Sequence, residues 1–183
     1  MKKTVLIFGL ISGAVSAAMI FATLPFVYRI GFDKGLVVGY TTIILSFLLV
    51  FFGIRSYREN VGGGTITFGR AFAVGILITL ISCVCYVVAW EILYYNFMPD
   101  FADKYSAYVL EKAKAAGATA EAIQAQMEEA KKLKQILDNP FLNAAATFTE
   151  PFPIGLIITL ISALILRKRN KSSSSESAVN ATA

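Results

Sequence analysis

A chain of 183 residues that is 56% hydrophobic and 16% charged, with a net charge of +5, holds more apolar surface than a soluble core of its size can bury. Soluble domains run at about 45–50% apolar and about 25% charged, so the excess points to lipid-facing surface. Histidine is absent, which removes the commonest metal ligand and general base, and the basic residues gather beside apolar runs as topology signals, not as a nucleic-acid footprint.

The first apolar run extends from Thr4 to about Tyr28 behind Lys2 and Lys3. Val15-Ser16-Ala17 resembles a signal-peptide cleavage site, but the apolar run continues well past the roughly 7–15 residues a signal needs, which favours a retained anchor. Gly9, Gly13 and Ala17 form a small-residue stripe suited to close helix packing in lipid. A polar turn precedes the second run, residues 35–54, where Gly31, Gly35 and Gly39 repeat the stripe. Two such stripes on consecutive helices predict a tight first hairpin. Gly62-Gly63-Gly64 follows with no phosphate-loop lysine or serine behind it, so it reads as a plain connection.

The third run, residues 71–95, ends in Trp90, Tyr94 and Tyr95, rings of the kind that sit at headgroup level. Cys83 and Cys85 lie inside it at a helical spacing that points them roughly 200° apart, so they do not pair with each other. From Pro99 to Pro140 the chain becomes charged and alanine-rich. Phe101, Tyr105, Tyr108 and Lys112 fall at helical spacing, Gly117 breaks the pattern, and Thr119 is placed to cap a second helix. Ile123, Met127, Ala130 and Leu137 run along one side of that helix, and Glu128 is set to pair with Lys131 and Lys132. These residues predict a soluble helical hairpin in which each helix covers the other's apolar stripe. The fourth run is the shortest, about residues 148–166, with Pro151 and Pro153 in its first turn and Arg167-Lys168-Arg169 as its stop. The serine-rich remainder, residues 172–183, reads as a disordered cytoplasmic tail.

Four spans make the connections alternate between two sides. One side collects nine basic residues against two acidic, a net of +7, and the other eight against nine, a net of −1. The positive-inside rule then puts both termini and the glycine loop in the cytoplasm and the hairpin outside.

Two carboxylates are candidate sites. Glu91 is the one ionisable residue inside a span, where insertion costs about 2.5–3.5 kcal/mol at the centre. It lies near the outer end beside Trp90, which supports an interface or structural role, and a translocation path is the alternative. Glu150 stands before the fourth span, where the helix dipole alone accounts for it by about 0.3–1 kcal/mol. At one depth the two would form an acidic pair. No nucleophile is placed with a base and no cluster has metal-ligand spacing, so the sequence specifies neither catalytic residue nor cofactor.

Two stretches carry a family resemblance. One is Thr67-Phe68-Gly69-Arg70-Ala71-Phe72 with Tyr86, Trp90, Pro99-Asp100-Phe101 and Tyr105. The other is Glu150-Pro151-Phe152-Pro153-Ile154-Gly155 running into Leu160-Ile161-Ser162-Ala163-Leu164-Ile165 and the basic stop. In order and spacing they resemble the bacterial inner-membrane proteins, common in the Bacteroidetes, grouped as domain of unknown function 4199. That resemblance implies four spans with a soluble insertion before the last, and it brings no activity. The expectation is therefore an all-α four-helix membrane bundle with an extracytoplasmic hairpin. Its leading role is non-enzymatic contact with a protein or the lipid surface through that hairpin. The alternative is ion or solute translocation built on Glu91, which would call for an oligomer.

Overall fold

The computed structural model describes residues 1–168, and these are helical apart from short connections. The tail expected over 172–183 lies outside the described residues. In chain order the elements are α1 (Lys2–Thr23), α2 (Val27–Ile30), α3 (Phe32–Asn60), α4 (Phe68–Phe97), α5 (Phe101–Ala115), α6 (Ala120–Leu137), α7 (Pro140–Thr149) and α8 (Pro151–Leu166). A short 3-10 turn, Leu24–Phe26, joins α1 to α2 around Pro25.

Local chemistry sets the boundaries. Gly31, at φ 88°, ends α2 and starts α3 in a conformation that a side chain resists. Thr67 caps α4 by accepting from the Arg70 amide, and Thr119 caps α6 by accepting from the Ala122 amide. Asn139 caps α7, its Oδ1 accepting from the amides of Phe141 at 3.0 Å and Leu142 at 3.2 Å. Pro140 occupies the first position of α7, where its missing N–H costs nothing. Pro151 and Pro153 then withhold two amides from the helical ladder, so α7 and α8 separate at Glu150.

Among the described residues four helical segments are long and apolar enough to cross a membrane: Lys2–Ile30, Phe32–Asn60, Phe68–Phe97 and Pro140–Leu166. The fourth corrects the expected start near residue 148. The chain resumes helix at Pro140, and the whole of α7 precedes the double-proline break. A proline at the head of a helix is a start signal, and Asn139 before it is a cap, so this dipeptide both ends α6 and opens α7.

α3 and α4 pack on each other, and α1 and α8 each pack against both. Val50, Ile54, Val74 and Ile78 form the centre and are fully buried. Three hydroxyl contacts tie the crossings: Ser12 Oγ donates to the Ser46 carbonyl at 2.9 Å, Ser82 Oγ to the Gly9 carbonyl at 3.3 Å, and Thr79 and Thr159 share a bond of 3.0 Å. In hydrocarbon, where packing and such bonds replace the hydrophobic drive, helices associate by this means. Leu10, Val37, Leu45, Val84 and Ile157 stay more than half exposed on the outside of the bundle. At the end that holds the glycine loop, Ile66 and Lys168 exchange two backbone hydrogen bonds, which fastens that loop to the end of α8.

The first two spans do pack on each other, but of the two glycine stripes only Gly35 makes a close contact between them. A Cβ on Gly9 would stand 2.9 Å from Ile81 Cβ, and one on Gly13 would stand 2.6 Å from Cys85 Cβ, so this stripe admits α4. Gly31 is the turn residue, Gly35 abuts Val27, and Gly39 has nothing within 4 Å of where its Cβ would be. The tight contact lies instead between Gly75-Ile-Leu-Ile-Thr79-Leu-Ile-Ser82 and Gly155-Leu-Ile-Ile-Thr159-Leu-Ile-Ser162, two nearly identical octets 80 residues apart. They pack antiparallel and reciprocally. A Cβ on Gly75 would be 2.7 Å from Thr159 Cγ2, and one on Gly155 would be 2.4 Å from Thr79 Cγ2.

Candidate functional site

α5 and α6 form the predicted helical hairpin, broken at Gly117 (φ 71°), but its apolar stripes are not matched only to each other. The aromatic face of α5 docks on the turn between the first two spans. Phe32 is surrounded by Phe101, Tyr105 and Tyr108, with ring centroids 5.8, 5.3 and 5.0 Å away. The Phe101 and Tyr105 pairs are edge-to-face, a geometry that adds about 0.5–1.5 kcal/mol per pair beyond area burial, and the Tyr108 ring is tilted. Ion pairs border the seam. Lys112 Nζ donates to both Asp33 oxygens at 2.8 and 2.7 Å, and Lys104 pairs with Asp100 at 2.6 Å while lying 4.0 Å from the Tyr28 ring centroid. Asp33 holds the Lys112 ammonium above its ordinary 10.5, and Lys104 holds the Asp100 carboxyl below its ordinary 3.8.

The expected bonds from Glu128 to Lys131 and Lys132 are not among the ion pairs of the described residues. α6 is held to α5 by Lys134 and Asp103 instead. Of the stripe on α6, Leu137 is buried, Ile123 and Ala130 are half-buried, and Met127 stays exposed.

The three rings at the end of α4 anchor the helices that follow it. Tyr95 Oη donates to the Leu137 carbonyl at 2.8 Å, and Tyr94 Oη donates to Asp138 at 3.3 Å. Trp90 Nε1 donates to Asn143 Oδ1 at 2.8 Å, while Asn143 Nδ2 donates to the Leu137 carbonyl and Thr147 donates to Asn143 Oδ1. Asn143 is fully buried and its side chain satisfied, as a buried amide requires. Nothing in the spacing of Asn143 marked it in the sequence, because its partners come from α4 and from the end of α6.

Beneath the hairpin lies a partly open cavity of about 310 Å³. Its walls come from α1 and α2, the first half of α3, Tyr86 and Trp90 of α4, and α7, and the hairpin roofs it with Phe101, Tyr105, Leu133 and Leu137. Gly39, expected to pack a helix, contributes open wall, while Gly35 lines the cavity beside its close contact with Val27 of α2. Glu150 lines this cavity and accepts from Tyr86 Oη at 3.3 Å. Among the described residues it is the single charged one on the lining, which includes no lysine or arginine.

The two candidate carboxylates are therefore separated in environment. Glu91 is half-buried, its Oε1 is enclosed without a hydrogen-bond partner, and it is not part of the cavity wall. No acidic pair forms on that wall. Cys83 and Cys85 are both free thiols, as their helical spacing dictates. Among the described residues no group of three acidic or cysteine side chains is arranged to hold a metal ion.

The sequence model of the family described as protein of unknown function (DUF4199) matches residues 7–168, and the chain belongs to that family. No curated protein and no solved structure matches it.

Proposed function

We propose that this member of the family is a four-span protein of the bacterial inner membrane that works by binding, without catalysis, and uses its hairpin as the contact surface. Both termini lie in the cytoplasm and the hairpin outside, a reading supported by the +7 and −1 division of charge between the two sets of connections. The observation that carries the interaction role is the division of the hairpin's faces. Its inner face is engaged with Phe32, Trp90, Tyr94 and Tyr95, so the hairpin is a seated cap rather than a tethered arm. Its outer face offers Met127, Glu128, Lys131 and Lys132, and beside it Phe97 and Phe141 are 67% and 89% exposed. Large apolar rings at that level suit the headgroup boundary, and the mixed charges above them suit a protein or lipid surface.

Cysteine labelling tests the reading. With a membrane-impermeant maleimide on intact cells stripped of their outer membrane, Ala116→Cys is expected to label and Val61→Cys to label only after permeabilisation. The reverse pattern would sink the orientation. A photo-reactive residue at Met127 should crosslink protein or lipid in native membranes, and its failure to do so would remove the interaction role.

A second reading, ion or solute translocation, is favoured by one observation, the enclosed and unpartnered oxygen of Glu91. An unpaired carboxylate at that depth is costly, and proton relays use such groups. This reading would require an oligomer, since four helices rarely enclose a pore alone.

A further inference from the structure

We propose that the cavity under the hairpin binds a small apolar monocation, an amine or quaternary ammonium on an apolar body, with Glu150 as its counter-charge. This goes beyond the interaction role and holds for either orientation of the chain. A volume of about 310 Å³ falls at the lower end of the roughly 300–1,000 Å³ of ligand pockets, which are apolar chambers with a few convergent polar groups. Here the convergent groups are one carboxylate and a set of aromatic rings: Tyr40, Tyr86, Trp90, Phe101 and Tyr105. Ring faces attract cations, and the attraction grows when the site is dry. An anion would meet Glu150 with no basic residue on the wall to receive it. A neutral ligand would make no use of the exposed carboxylate at its edge. Glu150 accepts one protein hydrogen bond, from Tyr86, whereas a carboxylate has about four acceptor sites. The glycines complete the site. Gly39 lines the cavity and a Cβ there would meet nothing within 4 Å, so the wall has room at that position.

Trp90 is the single tryptophan of the chain and lies on the cavity wall, so its emission reports occupancy. The full chain in phosphatidylcholine nanodiscs is titrated with benzyltriethylammonium and, separately, with phenylmethanesulfonate. The cation is expected to give a saturable change in emission, weakened at least tenfold by Glu150→Gln and kept in Glu91→Gln, while the sulfonate gives none. Gly39→Leu adds a large side chain at another position of the cavity lining and should abolish the response even if Glu150→Gln folds poorly. The proposal is overturned if the wild type shows no saturable response or if the sulfonate binds equally well. It is overturned equally if Gly39→Leu binds like the wild type, or if Glu91→Gln rather than Glu150→Gln removes binding.

Discussion

Replacing Gly155 and Gly39 separately by alanine tests the packing directly, because sequence pattern and structure rank the two positions in opposite order. Both glycines sit within apolar spans, and Gly39 belongs to the more obvious stripe. At Gly155 the added Cβ falls 2.4 Å from Thr79 Cγ2 and 2.9 Å from Phe47 Cζ. Neither neighbour can yield cheaply. Thr79 is fully buried and tied to Thr159 at 3.0 Å, and Phe47 is 2% exposed. Relief therefore requires α8 to move off α4, and overpacking of this sort costs about 1–3 kcal/mol. At Gly39 nothing stands within 4 Å, so alanine keeps only the helix-propensity gain of about 0.8–1 kcal/mol that both substitutions share. The shared gain cancels, and the variants should differ by about 1–3 kcal/mol. At roughly 2–4 °C per kcal/mol for a chain of this size, Gly155→Ala should melt roughly 2–12 °C below Gly39→Ala. The assay is thermal unfolding in mild detergent, followed by Trp90 emission. Equal melting of the two variants would refute the assignment of this contact.

Thr79→Val removes the hydroxyl shared between α4 and α8 while keeping its shape, and should cost only about 0.6 kcal/mol, about 1.7 at most, in the same melt. A larger loss would show that the hydroxyl, not the close approach, holds the crossing. Glu91→Gln should leave expression and insertion unchanged, and reconstituted wild-type protein should show no pH- or cation-dependent flux to lose. A wild-type flux abolished by Glu91→Gln would promote translocation to the first reading. Because Lys104 lowers the folded-state value of Asp100, the stabilisation from that carboxylate is fully present above about pH 3.8 and is lost as pH falls through the lower folded value. Near-ultraviolet circular dichroism of the Phe32 cluster should therefore show an acid-side loss to which Asp100 contributes. Asp100→Asn should diminish that step, and an unchanged acid profile in the variant would disprove the linkage.

Much of the architecture was legible because it is written in local patterns. Span number follows from runs of apolar residues long enough for hydrocarbon. The hairpin follows from the change to charged, alanine-rich sequence between Pro99 and Pro140, and its turn from Gly117 followed by the Thr119 cap. Each signal is decided within a few turns of helix, where the spacing of residues is known before folding. The opening of α7 was as local but was misread, because Asn139-Pro140 signals both an end and a beginning.

What the sequence alone could not decide was which faces meet. The Gly9 and Gly13 stripe was visible, but whether α3 or α4 fills it depends on where two helices cross, a matter of the whole bundle. The reciprocal octets at Gly75 and Gly155 become a contact only because α4 and α8 run antiparallel and in register across 80 residues of chain. The two carboxylates show the same limit. Glu91 stood out because a charge in an apolar run is expensive wherever it points, whereas Glu150 was explained away by a helix terminus. Tertiary structure reversed their interest by setting Glu150 with Tyr86 on a cavity wall and leaving Glu91 off it. Hydropathy measures the cost of placing a residue at a given depth. Direction and neighbours come from side chains distant in sequence, and only the assembled helices supply them.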